Sequence, residues 1–179
     1  MKIVHADFLE HAMHHFRFLE ESYGFNREEA ESRDEGTPDA TTSLNYLNPD
    51  VGVGVKVILH HCDPYLGVAL CELDRRNSIG KISFYGDSGF SRAMNLESLV
   101  EVKTDGQLPP IMPSNEAGIT IPEIRRRMAT RQELLNSRLE EVVRDLSDRL
   151  QKYGREVLQG DLRIFPIVQQ FHRRKFLGA

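Results

Sequence analysis

Val51, Val53, Val55, Val57 and Leu59 occupy every second position, and this alternation constrains the chain more than any other feature. Successive side chains of a strand point to opposite faces, so all five share one face, and β-branched valine suits a pleated, half-buried surface. The other face carries Gly52, Gly54, Lys56, Ile58 and His60. Its two glycines leave the strand bare near its start, where it can bulge or another segment can approach closely. His61-Cys62-Asp63-Pro64 then breaks the pattern and predicts a turn. A second run fills 65–73, with Leu66, Val68, Leu70 and Leu73 to one side. A third fills 81–85 after the turn-like stretch 75–80, and a weaker one with Leu44 and Tyr46 precedes them all. Connections this short join antiparallel neighbours, because parallel pairing needs a long crossover. The expectation is a meander of about four strands with one face covered and the other partly wet.

On either side of these strands the chain reads as helix or loop. Residues 7–23 place Phe8, Ala12, His15 or Phe16, Leu19 and Tyr23 at three- and four-residue spacing, one apolar stripe. Asp7 is the expected N-cap. Gly24 is the expected C-terminal stop, with Phe25 folding back on the last turn. Residues 26–42 are acidic, contain Gly36 and Pro38, and read as a mobile loop. Residues 86–92 read as a tight turn that lacks the spacing and lysine of a phosphate-binding loop. Asn95 caps a short helix. Thr120-Ile121-Pro122-Glu123 is a capping box with proline in the first turn. The helix it opens meets no glycine or proline from 123 to Gly154, a length of roughly 50 Å. Its apolar positions Ile124, Met128, Leu135, Leu139, Val142, Leu146, Leu150 and Tyr153 form a narrow seam. Arg131 interrupts that seam, which predicts solvated first turns. A last helix from Pro166 to Lys175 would bury Leu162, Phe165, Val168 and Phe171 along with its approach.

The fold class expected is α+β: an N-terminal helix on an antiparallel sheet, then a long helix and a helical tail. The division is 1–105 as the sheet domain, 106–119 as a Pro/Gly-rich linker, and 120–179 as a helical extension packing on it or on a second subunit. Two cysteines do not make a disulfide framework and are expected to be reduced. No apolar run reaches the ~20 residues of a membrane span, and the first residues lack a signal-peptide apolar core, so the expected location is the cytoplasm.

The net charge of −4 conceals an asymmetry. Residues 1–50 hold four basic and eleven acidic side chains, whereas 119–179 hold thirteen basic and eight acidic. The two ends can attract each other, or the acidic front can meet a basic partner. For the second case the candidate contact residues are Glu20, Glu21, Glu28, Glu29, Glu31, Asp34 and Glu35. A different class, a metal-dependent enzyme, would draw on His11 and His15, one helical turn apart, together with His60 and His61. The bland alternative is that these are packed or solvated histidines. A zinc-protease helix would carry glutamate after its first histidine, and here Ala12 stands there. Cys62 beside two histidines lacks the spatial partners of a catalytic thiol, and Cys71 lies in an apolar strand. The basic clusters at 125–127 and 172–175 have no stacking aromatics interleaved and sit in an acidic chain, which argues against nucleic acid. A structural homodimer through the 120–153 helix is a third class.

Four segments together carry a resemblance. They are Phe18-Leu19-Glu20-Glu21-Ser22-Tyr23-Gly24-Phe25, Leu44-Asn45-Tyr46 with the valine strand after it, Asn95-Leu96-Glu97-Ser98-Leu99, and Tyr153-Gly154-Arg155-Glu156-Val157-Leu158-Gln159-Gly160-Asp161. The chain resembles a group of small uncharacterised bacterial α+β proteins, several of them thought to be immunity proteins that neutralise toxins of competing cells. The resemblance implies a non-enzymatic protein-binding module without a cofactor, with a protein such as a basic toxin as partner. It carries over no individual site residue.

Overall fold

A computed structural model describes residues 5–33, 40–85, 90–114 and 117–178. Asp34 and Glu35 of the expected contact set lie outside them. The elements run α1 (His5–His15), α2 (Phe18–Tyr23), β1 (Asn26–Arg27), β2 (Glu31–Arg33), β3 (Thr41–Asn48), β4 (Val53–His60), β5 (Tyr65–Glu72), β6 (Ile82–Ser83), β7 (Ser91–Asn95), α3 (Leu96–Thr104), α4 (Ile121–Tyr153), α5 (Arg155–Leu158) and α6 (Phe165–Leu177). The α+β architecture is the one expected. The described sheet has seven strands in the order β1-β3-β4-β5-β7-β6, with β2 also on β3. All pairs are antiparallel except β6 with β7.

Three departures follow from local causes. The stretch expected as a loop at 26–42 contributes β1 and β2, which pair with β3 although every one of their residues is exposed. An edge ribbon with no buried face carries no alternation to read. Of the turn expected at 86–92, residues 86–89 lie outside the described ones, and Ser91 and Arg92 open β7, which lies against β5 and buries Ala93 and Met94. The run at 81–85 shrinks to the two residues of β6. The single first helix is two. The Ser147 hydroxyl donates to the His15 carbonyl at 2.7 Å, and the Leu19 N–H turns to the Phe16 carbonyl at 3.0 Å. The helix therefore breaks at 16–17, and Asp7 falls inside the first turn of α1 instead of capping it. Gly24, at φ +69°, does end α2, and buried Phe25 returns its N–H to the Leu19 carbonyl at 3.0 Å.

One face of the sheet is the core. The register puts Tyr46, Val55, Leu70 and Met94 in one row and Leu44, Val57 and Val68 in the next, all fully buried. Phe8, Ala12, Phe16 and Leu19 from α1 and α2 cover this face, with Leu135, Val142, Val143, Leu146 and Leu150 from α4. Each buried aliphatic side chain contributes about 1.5–3 kcal/mol, an upper bound because the unfolded chain is not fully extended. From Leu135 onward the α4 seam is thus packed within the chain, in the same cluster as the sheet, whereas Ile124 and Met128 are half-buried outside that cluster. Thr120 caps α4, and Arg138 leaves helical geometry at φ −141° and kinks it. Gly154 stops it: a Cβ there would lie 2.8 Å from the Leu150 carbonyl oxygen.

The first turns of α4 are solvated as expected, with no buried residue from 121 to 130, but Arg131, which interrupts the apolar seam, is itself buried. It is 1% exposed, paired with Asp63 in the β4–β5 turn, bonded to the Pro113 carbonyl at 2.9 Å, and stacked 6.0 Å from the Tyr65 ring centre. The segment 106–114 has no regular structure but is tied down. Met112 is buried in the core, and Arg149 bridges Glu97 (2.7 Å) and the Pro109 carbonyl (2.8 Å).

Candidate functional site

The second face of the sheet is covered as well, but less fully: Ser43, Asn45, Gly67 and Ala69 are buried, and Lys56, Ile58 and Asn95 are half-buried. Asn45, Lys56, Ala69 and Asn95 form one row across β3, β4, β5 and β7, and Ser43, Ile58 and Gly67 form the next. Ala69 keeps the middle low, and the Tyr65 ring lies over Gly67. Toward the other end the bare strand is filled as the glycine pattern anticipated. Ile79 lies over Gly54, where a Cβ would come within 2.7 Å of it. Ala69, Cys71 and Ala93 make a small second cluster there with Ile79, Ile82 and Phe84.

Between these parts lies a cavity of about 700 Å³. Its floor is Asn45, Lys56, Ile58 and Ala69. Its walls are Glu28, Glu31 and Arg33 on the acidic edge, and Ile79, Lys81, Ile82, Phe84 and Phe90 opposite. It adjoins a smaller cavity of about 260 Å³, with which it shares Ile58, His60, Ala69 and Phe84. Tyr65, Asn95, Arg131, His172 and Phe176 close that inner space. Lys56 is 13% exposed, and its ammonium stands 3.6 Å from Glu31, which projects from the exposed edge. Asn45, buried, donates to Glu28 at 3.2 Å.

Burial sets the protonation of the groups around the inner cavity. It raises the Tyr65 phenol, with Asn95 opposing. It lowers His172 to about 4, aided by the Lys175 charge, so the imidazole is neutral at pH 7. His172 shares a hydrogen bond of 3.0 Å with the Ser98 hydroxyl and packs on Phe84, Tyr85 and Phe176. These contacts dock α6 on α3 and on the segment around β6. Cys71, buried, has its thiol pushed up to about 12, which makes it a poor nucleophile at neutral pH. Cys62 is exposed, and both cysteines are free thiols.

Of the residues singled out in the sequence, Glu28, Glu31 and His60 meet at this site. Glu20 pairs with Arg27 at 3.5 Å and Glu21 with Arg17 at 2.6 Å, along the edge but outside the cavity, and Glu29 is exposed beside them. The four histidines do not converge. His11 and His15 lie on α1, which covers the core face, and His60 points from the other face, so the sheet stands between them. His15 faces Glu140 at 3.7 Å, and burial with neighbouring His14 pulls its pKa down. His61 is held by Thr42 at 2.9 Å. Among the described residues no group of three or more His, Cys, Asp or Glu side chains is arranged to hold a metal ion. No helix among them is long and apolar enough to cross a membrane.

Sequence reasoning missed Asn45, Lys56, Arg33, Lys81, Phe84 and Phe90 as site residues. The available signal was the small, polar second face of β4 and β5. No protein-family model matches the chain, and neither a curated protein nor a solved structure matches it.

Proposed function

We propose that this chain is a cytoplasmic, non-enzymatic protein-binding module of the immunity-protein kind, taking a basic partner on its acidic edge. One observation carries the reading. The acidic stretch is an exposed ribbon hydrogen-bonded to β3, not a loop, so its carboxylates project from fixed backbone positions. A pre-ordered array of this sort loses less entropy on association than a loop would. Residues 17–33 present five carboxylates against three arginines, and their mutual ion pairs are exposed. Such pairs are worth about 0–1 kcal/mol, so a basic surface can exchange with the arginines at little cost. Complementary charge also speeds encounter and excludes wrong partners.

The test is co-purification at native expression, followed by titration of the partner at several salt concentrations. Glu20, Glu21 and Glu29 are then reversed to lysine together; none of the three lines the cavity. The expected result is one stoichiometric basic protein whose affinity falls with salt and drops at least about tenfold in the triple variant. Unchanged affinity in that variant would sink this placement of the interface, and the absence of any stoichiometric protein partner would sink the class.

A further inference from the structure

The second face of the sheet carries an inference independent of the edge. Its cavity of about 700 Å³ lies within the range of about 300–1,000 Å³ that small-molecule sites occupy. The cavity is two-sided in character. Ile58, Ile79, Ile82, Phe84 and Phe90 supply apolar surface, and Phe90 is 47% exposed, a large ring left half in water. Three cations, Lys56, Lys81 and Arg33, line the same space with two carboxylates, Glu28 and Glu31. Glu28 is engaged by Asn45, and Glu31 stands off from Lys56 at 3.6 Å while itself half exposed. Lys56 is an ammonium sunk in the floor, and its counter-charge sits on an exposed edge strand.

We propose that this face binds an anionic amphiphile, a medium-chain carboxylate. Its head group pairs with Lys56, and its chain runs over Ile58 and Ala69 toward Phe84 and the inner cavity. Lys81 and Arg33 on the rims add attraction for the anion. Glu31 competes with it for Lys56, which fixes the sign of one test. The chain lies where Ala69 leaves the sheet low, and it covers the exposed part of Phe90.

Calorimetric titration of the full chain with decanoate below its micellar concentration tests this, with decylammonium as the control of equal length and opposite charge. Decanoate is expected to bind one to one and decylammonium not to bind. Shortening the acid to octanoate removes two methylenes, each worth about fourfold in affinity when buried. Lys56→Met keeps the aliphatic stem, and is expected to weaken decanoate at least about tenfold with the melting temperature kept. Glu31→Gln frees the ammonium and is expected to tighten binding by about twofold to fivefold, the size of an exposed ion pair. No binding of decanoate up to millimolar concentration, equal binding of decylammonium, undiminished binding to Lys56→Met, or weaker binding to Glu31→Gln would each overturn the proposal. The edge variant at Glu20, Glu21 and Glu29 leaves these residues in place, so failure here and failure of the partner reading are separable.

Discussion

The pair between Arg131 and Asp63 is unequal, and the inequality predicts which member matters more. The guanidinium is 1% exposed and the carboxylate 52%. Removing one member of a buried pair costs about 3–5 kcal/mol when the other is stranded away from water. Asp63→Ala takes this carboxylate from the buried arginine, which keeps the Pro113 carbonyl and the Tyr65 ring. The expected loss is near the bottom of that range, about 3 kcal/mol, because half of the aspartate was already in water. Arg131→Met strands nothing charged, since Asp63 turns to solvent. It leaves the Pro113 carbonyl without its donor, at about 1–3 kcal/mol, partly offset by an apolar stem against Tyr65. The net expectation is about 1–2 kcal/mol. Urea unfolding of both single variants and the double variant measures this. The double should cost little more than Arg131→Met alone. In thermal melts each kcal/mol is worth about 2–4 °C for a chain of this size. If Arg131→Met destabilises as much as Asp63→Ala or more, the burial argument is wrong.

His172 makes stability fall with acid. Its folded pKa of about 4 lies below the ordinary 6.5, so the unfolded chain takes up a proton first as pH drops. The loss begins near pH 6.5 and is complete below about 4. The full linkage is about 1.4 kcal/mol per unit, discounted for the half-exposed ring to about 1–2 kcal/mol overall. Urea unfolding of His172→Gln against the parent should show a flatter profile between those limits. Cys62 should react with a thiol reagent at once, whereas buried Cys71 should react only on unfolding; two equally fast thiols would contradict the β5 placement. Gly54→Val should cost about 1–3 kcal/mol by driving a side chain into Ile79, and Leu146→Ala about 2–5 kcal/mol by opening the core under α4. Both are read from denaturant midpoints.

The parts legible in the sequence are those where burial is one-sided and local. β4 was legible because its buried face alternates over eight residues, and α4 because Thr120 and Gly154 mark its ends. β1 and β2 were not, since a wholly exposed ribbon leaves no apolar period. β7 buries only Ala93 and Met94, too few for a period. Arg131 was misread for a different reason. A charge in an apolar seam reads as a solvated turn unless its counter-ion is known, and Asp63 lies 68 positions away.

The candidate site was hidden by the same non-locality. Lys56 and Glu31 become neighbours because β2 and β4 flank β3, in the register Glu31 to Ser43 and Asn45 to Lys56. Slipping β3 by one residue would turn Asn45 into the apolar core, away from its Glu28 acceptor, and Leu44 out of it, and the lost hydrogen bond and lost apolar burial forbid that. The apolar face that fixes the fold therefore also fixes which polar residues meet on the other side. What the core alternation leaves free is their identity. A sheet needing only stability would fill the space beside Ala69 with larger β-branched side chains. This one places an ammonium beside Ala69 and a half-exposed phenylalanine around a cavity, the arrangement on which the proposed ligand site rests.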